Sequence, residues 1–262
     1  MVCVCSATSM VYFEKQADRM LTAGVSSRAK RGHRSILSGT GRKMMDTALI
    51  KSLGFTARRY SAHAVIFSQG DENEWIYIIE SGWGCISHEL RGGKRQIIDF
   101  ALTGDVVLSQ HGGTAVETFG AHTELSVLMA PYRTFVQSAT RSPELLSFVL
   151  ASLVRNEAVR AQHLAGIGRR TALVRTSHLL LELTARLQEV GAVHGDSFDC
   201  PLTQHDLADA LGLTPIHVNR MLRELRERKL VEFRQGHVHI LDWNGLAKFA
   251  GFEGDYIKRH ST

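Results

Sequence analysis

A chain of 262 residues, 44% of them hydrophobic and 22% charged, has the make-up of a folded protein with one large domain or two small ones. That composition excludes a disordered chain, a collagen-like repeat and a coiled-coil rod. No apolar run approaches the roughly 20 residues of a membrane helix, so the reading is cytoplasmic and without a membrane partner. The net charge of +5 gathers in residues 1–43, where eight Lys or Arg face two acids, and is poor evidence for a nucleic-acid partner by itself.

Residues 1–43 read as a basic, flexible tail, Ser-rich and acid-poor in the manner of a transit peptide. Met44 and Met45 stand just before the first orderly segment and offer a second place to begin. Four cysteines, at 3, 5, 85 and 200, are too sparse for a disulfide scaffold in a chain of this length. Cys3 and Cys5 have one residue between them, not the two of zinc or thioredoxin sites, so the expectation is reduced thiols and no metal.

Residues 44–142 are assigned to a β domain. From about 58 to 130, short apolar runs such as Ala64–Phe67 and Trp75–Ile79 alternate with turn residues every 10–12 positions. Arg91, Gly92, Gly93 and Lys94 mark a hairpin. This rhythm predicts an antiparallel β-roll closed as a small jelly roll.

After Pro131 the apolar period changes from 2 to 3.6. Ser142 followed by Pro143 starts a helix over residues 143–168, with Leu146, Leu150, Leu153 and Leu164 along one seam. Leu145, Phe148 and Val149 give a second apolar face that can pack on the β domain. A helix apolar on two faces wants two neighbours: either both lie in one core, or one is a second copy of the chain. A further helix spans about 170–190, and 191–199 reads as a loop.

Residues 169–262 carry the functional signal. Thr203 caps a helix that begins at Gln204, buries Leu207, Ala208 and Leu211, and ends at Gly212; Thr214 caps the next, with Pro215 in its first position. This is helix-turn-helix spacing. On the second helix Val218, Met221, Leu222 and Leu225 form an inward face, and Ile216, Asn219, Arg220 and Arg223 form the opposite one, with His217 beside them. Arg can fork to guanine and Asn can pair with adenine. Arg234 to His237 then forms the tip of a hairpin, a wing placed to touch phosphate. Pairs such as Arg220–Glu224 and Arg223–Glu227 would be the plain alternative, a solvated helix face.

Phe67 to Asp71, Thr103 to Asp105, and Leu202 to Val231 together resemble the Crp/Fnr family of bacterial transcription regulators, over residues 58–262. The resemblance implies an α+β chain of β-roll, long dimerisation helix and winged helix-turn-helix. It also implies a homodimer on a palindromic double-stranded DNA operator that recruits RNA polymerase. Cyclic-nucleotide-binding members carry an Arg-Ser pair that grips the phosphate; here the equivalent strand reads Thr114 to Thr118 and offers Glu117 instead. Of the family's reading residues only Arg220 has a match, so Asn219 and Arg220, with His217, are assigned to bases. Thr203, Gln204, Arg234 and His237 are assigned to phosphate.

No G-x-S-x-G, H-E-x-x-H, P-loop or G-x-G-x-x-G is present, which argues against an enzyme. The reading is therefore a regulator that works without cofactor or cyclic nucleotide. Its rival is a sensor whose haem (through His63, His88, His111 or His122), iron–sulfur cluster (through Cys3, Cys5 and Cys85) or thiol (Cys85 or Cys200) gates DNA binding.

Overall fold

The computed structural model describes residues 45–108 and 113–258. Expectations about the N-terminal tail, Cys3, Cys5 and His111 lie outside them. Among the described residues no helix is long and apolar enough to cross a membrane.

Eight strands build two four-stranded antiparallel sheets. The strands are β1 (Thr56–Tyr60), β2 (Val65–Phe67), β3 (Trp75–Ser81), β4 (Gly84–Leu90), β5 (Lys94–Ala101), β6 (Val106–Leu108), β7 (Thr118–Ala121) and β8 (Leu125–Pro131). One sheet runs β1-β8-β3-β6 and the other β2-β7-β4-β5, the strand orders of a jelly roll. Side-chain alternation explains why Trp75–Ile79 is apolar throughout. Tyr77 and Ile79 point between the sheets with Phe67, Phe119 and Val127, and Ile76 and Ile78 point the other way onto helices. At Gly82 (φ +90°) a Cβ would lie 2.1 Å from the Glu124 carbonyl oxygen, so the tight β3–β4 turn requires glycine.

Two short elements were not foreseen at the edges of this domain: α1 (Thr47–Ser52) before β1, and α2 (Tyr132–Ala139) after β8. Each supplies only one or two buried side chains to the sheet, Ile50 from α1 and Phe135 and Ala139 from α2. The long helix α3 (Pro143–Arg169) begins as expected, with the Ser142 hydroxyl accepting from the Leu145 amide at 3.2 Å and Pro143 in its first turn. Leu145 and Val149 are buried against the first sheet.

Helix α4 (Ala172–Glu189) opens the C-terminal unit. The stretch read as a loop contains a third wing strand, β9 (Ser197–Asp199), which pairs with β11 (His237–Ile240) and so widens the β10 (Val231–Arg234)–β11 hairpin into the order β10-β11-β9. Helix α7 (Trp243–Ala250) and a 3₁₀ turn (Gly254–Ile257) follow the wing.

The outer face of the second sheet is not solvent-exposed throughout. Trp83, Cys85, Ile97 and Phe100 from β4–β5 and the loop before β4 join Leu180, Leu183, Leu202, Leu207 and Val218 in one hydrophobic core. The β domain and the C-terminal unit are therefore fused through buried apolar surface, which favours burial by about 25 cal/mol per Å².

Candidate nucleic-acid interface

Helix α5 (Gln204–Leu211) starts in a capping box: the Thr203 hydroxyl oxygen accepts from the Asp206 amide, and the Asp206 carboxylate accepts from the Thr203 amide at 2.9 Å. Burial acts to raise the Asp206 pKa, but the Thr203 hydrogen bonds, with His122 and Arg95 nearby, outweigh it and hold the carboxyl below its ordinary range. Gly212 takes the left-handed conformation (φ +59°) that ends the helix. The Thr214 hydroxyl then accepts from the His217 amide to start α6 (Pro215–Glu227).

Helix α6 has two faces. Val218, Met221 and Leu225 are buried against α5 and α4, and Leu222 is half-buried beside them. Ile216, His217, Asn219, Arg220 and Arg223 are all exposed, Ile216 by 82%. No acidic residue sits in the first turn, so the positive end of the helix dipole is uncompensated where Ile216 and His217 stand. Thr203, Gln204, Thr214, Arg234 and His237 are exposed as well, so every residue assigned to bases or phosphate reaches solvent.

Their charges are not equally free. Arg223 is held by Glu227 at 2.8 Å, as the helix-surface alternative anticipated, whereas Glu224 pairs with Arg228 at 2.5 Å and leaves Arg220 without an ion pair among the described residues. On the wing, Arg234 pairs with Glu232 and the His237 ring with Asp199, both at 2.8 Å. Gln235 (φ +52°) and Gly236 (φ +78°) form the tip between them. Gln235, exposed and next to Arg234, was not singled out from the sequence; a left-handed two-residue turn is the signal that marks it.

Along α3 the seam differs from the sequence assignment. Leu146 (40% exposed), Leu150 (52%) and Leu164 (73%) face solvent, but Leu153 is half-buried against the β domain. Val154, 71% exposed, takes its place in the open row. A strict 3,4 spacing picks Leu153; the i, i+4, i+8 row from Leu146 picks Val154.

Between α3 and the β-roll lies a cavity of about 320 Å³ lined by apolar side chains, Glu117, Asn156, Glu157 and Arg160. Arg160 is the one cation lining it among the described residues, and it grips Glu117 through two bonds of 2.8 and 3.0 Å. A cyclic phosphate there would meet two carboxylates and a guanidinium already committed, so these residues do not suit an anionic nucleotide.

Among the described residues, those named for a redox sensor form no metal-binding group of three or more His, Cys, Asp or Glu. His88 and His122 turn their rings to the carbonyls of Val116 and Pro201, and His63 stacks edge-on with His122. Burial pushes the thiols of both Cys85 and Cys200 up to about 12, so neither is a thiolate at neutral pH.

Comparison with known proteins agrees with this geometry. The model of the cyclic nucleotide-binding domain matches residues 57–142, and that of the Crp-like helix-turn-helix domain matches residues 174–249. The chain is 32% identical over 175 residues to the nitrogen fixation regulation protein FixK of Rhizobium meliloti, covering 67% of this chain and 77% of that protein. It is 28% identical over 203 residues to FixK of Bradyrhizobium diazoefficiens, covering 76% and 84%. Among solved structures, FixK2 from Bradyrhizobium japonicum superposes with a TM-score of 0.67 at 23% identity, covering 74% of this chain and 96% of that one; at this identity the likeness speaks to fold.

Proposed function

The chain belongs to the Crp/Fnr family of DNA-binding transcription regulators, which are not enzymes, and from that premise we propose that it acts as a homodimer that reads a two-fold symmetric operator without a bound effector. The observation that carries the reading is the outer face of α6, where Asn219 and Arg220, the latter with no ion pair among the described residues, stand opposite the buried Val218, Met221 and Leu225. Asn219 and Arg220, with His217, contact base edges in the major groove, and Ile216 meets a thymine methyl. Thr203, Gln204, Thr214, Arg234 and His237 hold phosphates on either side, and Arg223 joins them once it leaves Glu227.

The open row of Leu146, Leu150, Val154 and Leu164 supports pairing of α3 with its copy. Two such units place their α6 helices one helical turn of DNA apart. The Glu117–Arg160 pair supports independence from cyclic nucleotide, and the shared core of the β-roll and the C-terminal unit supports a pose that needs no ligand to form. Recruitment of RNA polymerase follows from the family's mode of action and completes the reading.

Selection of bound sequences from randomised duplex DNA, with purified protein and nothing added, tests this. The expected result is a palindrome with half-sites one helical turn apart. Recovery of no motif, with only salt-sensitive enrichment, would show that the ligand-free protein does not read DNA and would overturn the effector-independent assignment.

A further inference from the structure

A cluster of charged side chains is buried where three parts of the chain meet. Arg186 of α4 is its centre, with a side chain only 1% exposed. Its Nη1 donates to Asp99 of β5 at 2.8 Å and to Glu182 one turn back at 3.3 Å. Its Nη2 donates to the Phe100 carbonyl oxygen at 2.6 Å and to Asp105, in the turn before β6, at 2.7 Å. Arg155 of α3 donates to the other oxygen of Asp105. His163, also of α3, lies 3.1 Å from both Glu182 and the Ile98 carbonyl oxygen. Tyr256, in the 3₁₀ turn that ends the C-terminal unit, donates to Glu182 at 3.2 Å.

Desolvating this many charges is costly, and an apolar joint would carry no such penalty. What the charged joint adds is direction. A guanidinium forked over two carboxylates and a carbonyl accepts one geometry, whereas apolar side chains slide and repack. The helix it orients is α4, against which α6 packs. An error in the angle of α4 is therefore carried to the reading helix that packs on it.

We propose that Arg186, through Asp99 and Asp105, is a positioning residue that locks the reading helix in one orientation on the β-roll and thereby sets which half-site spacing the dimer accepts. The spacing part rests on the dimeric reading above; the lock does not.

Two substitutions loosen the lock while keeping the joint polar. Arg186→Lys keeps the charge and loses the fork; Asp105→Asn keeps an acceptor for the Leu102 amide, which Asp105 now caps at 2.8 Å, and loses one carboxylate. The first readout needs no DNA. Spin labels at Arg59→Cys on β1 and Arg226→Cys on α6, both exposed positions, report the distance between the two units, with Cys3 and Cys5 replaced by serine. With labelled chains diluted into an excess of unlabelled ones, so that a dimer carries one labelled pair, wild type should give one narrow distance distribution, and both variants should broaden it. Equally narrow distributions in folded variants would overturn the lock.

The second readout is spacing. Inserting one or two base pairs between half-sites should cost the wild type about a hundredfold in affinity, because the second half-site is lost, and the variants less than about tenfold. Variants as selective for spacing as wild type would overturn the positioning role, since a purely structural role lowers stability and leaves spacing preference intact. A wild type indifferent to spacing would instead overturn the dimeric reading, with the distance measurement still deciding the lock.

Discussion

Two arginines of the C-terminal unit, Arg220 on α6 and Arg186 on α4, sit in opposite surroundings. Arg220 is exposed, with no ion pair among the described residues, and Arg186 is sealed among Asp99, Asp105 and Glu182. A solvated guanidinium costs the fold nothing and keeps its donors for an incoming partner. A desolvated one is tolerable only because fixed carboxylates surround it, and it has nothing left to offer outside. The same residue type is therefore left free for a partner in one place and committed to architecture in the other, and burial decides which.

Removing the charge should separate the two most sharply. Arg186→Met removes the guanidinium shared by Asp99, Asp105 and Glu182 in the core and should destabilise the protein by about 3–5 kcal/mol. The matching Arg220→Met, on the surface, should stay within about 0.5 kcal/mol. Urea unfolding of both variants checks this, and similar losses would mean that Arg220 has a structural partner. In DNA binding the order reverses: Arg220→Ala should cost about 1–3 kcal/mol of specific affinity and relax preference at one base pair.

How much of this could be read in advance follows from the range of each interaction. The caps at Ser142, Thr203 and Thr214 were legible because a cap and its amide lie three residues apart. The two faces of α6 were legible for the same reason, since helical periodicity is local. The joint was not, because Arg186 bonds to Asp99 and Asp105 across 87 and 81 residues, and nothing in the spacing of those residues marks them as partners. Thr103, Gly104 and Asp105 stood out as a family-like turn, but its role as an anchor for Arg155 and Arg186 needed the fold. Leu153 and Val154 fall between these cases: both fit an amphipathic helix, and only the neighbouring sheet decides which one turns inward. Strand β9 was missed because three residues carry too little periodicity to register, and its pairing with β11 is what makes it a strand.

The Leu153–Val154 distinction gives a test of intermediate size. Val154→Asp puts a carboxylate into the open row of α3 and should weaken self-association by about 2 kcal/mol or more while leaving the fold of each chain intact. Sedimentation against concentration, with circular dichroism as the fold control, measures both. A dimer unaffected by Val154→Asp would move the interface off this face.

The joint also carries a pH signature. Burial opposes the charge on His163, but Glu182, with Asp99 and the Ile98 carbonyl, overcomes it and raises the pKa from 6.5 to about 9. For Glu182, burial is likewise outweighed, by His163 and Arg186, and its pKa falls to about 2. His178 also faces Glu182 but is held neutral, its pKa lowered to about 4 chiefly by burial. A raised folded pKa means that the His163 contribution is complete below about pH 6.5 and is lost as pH rises through about 9. Glu182 contributes above about pH 4.5 and stops doing so as pH falls through about 2. Unfolding free energy should therefore decline between pH 7 and 10, and His163→Gln should flatten that decline. A wild-type slope preserved in His163→Gln would assign the titration to another group.

The smallest effect is expected at the wing, where the comparison between free and committed arginines is most finely balanced. Arg234 is exposed like Arg220 but already pairs with Glu232 at 2.8 Å, so a phosphate must displace a carboxylate to gain it. An exposed pair of this kind is worth about 0–1 kcal/mol, low enough for DNA to break. Arg234→Ala should weaken all duplexes alike and reduce the slope of log affinity against log salt by about 0.9, one phosphate contact. Glu232→Gln should act in the opposite sense by releasing the guanidinium, and should have no effect once Arg234 is gone. Binding titrations of the two single variants and the double variant at several salt concentrations resolve this. A change in base preference on losing Arg234 would make the wing a reader of sequence, and Arg220 would no longer be the free arginine on which recognition turns.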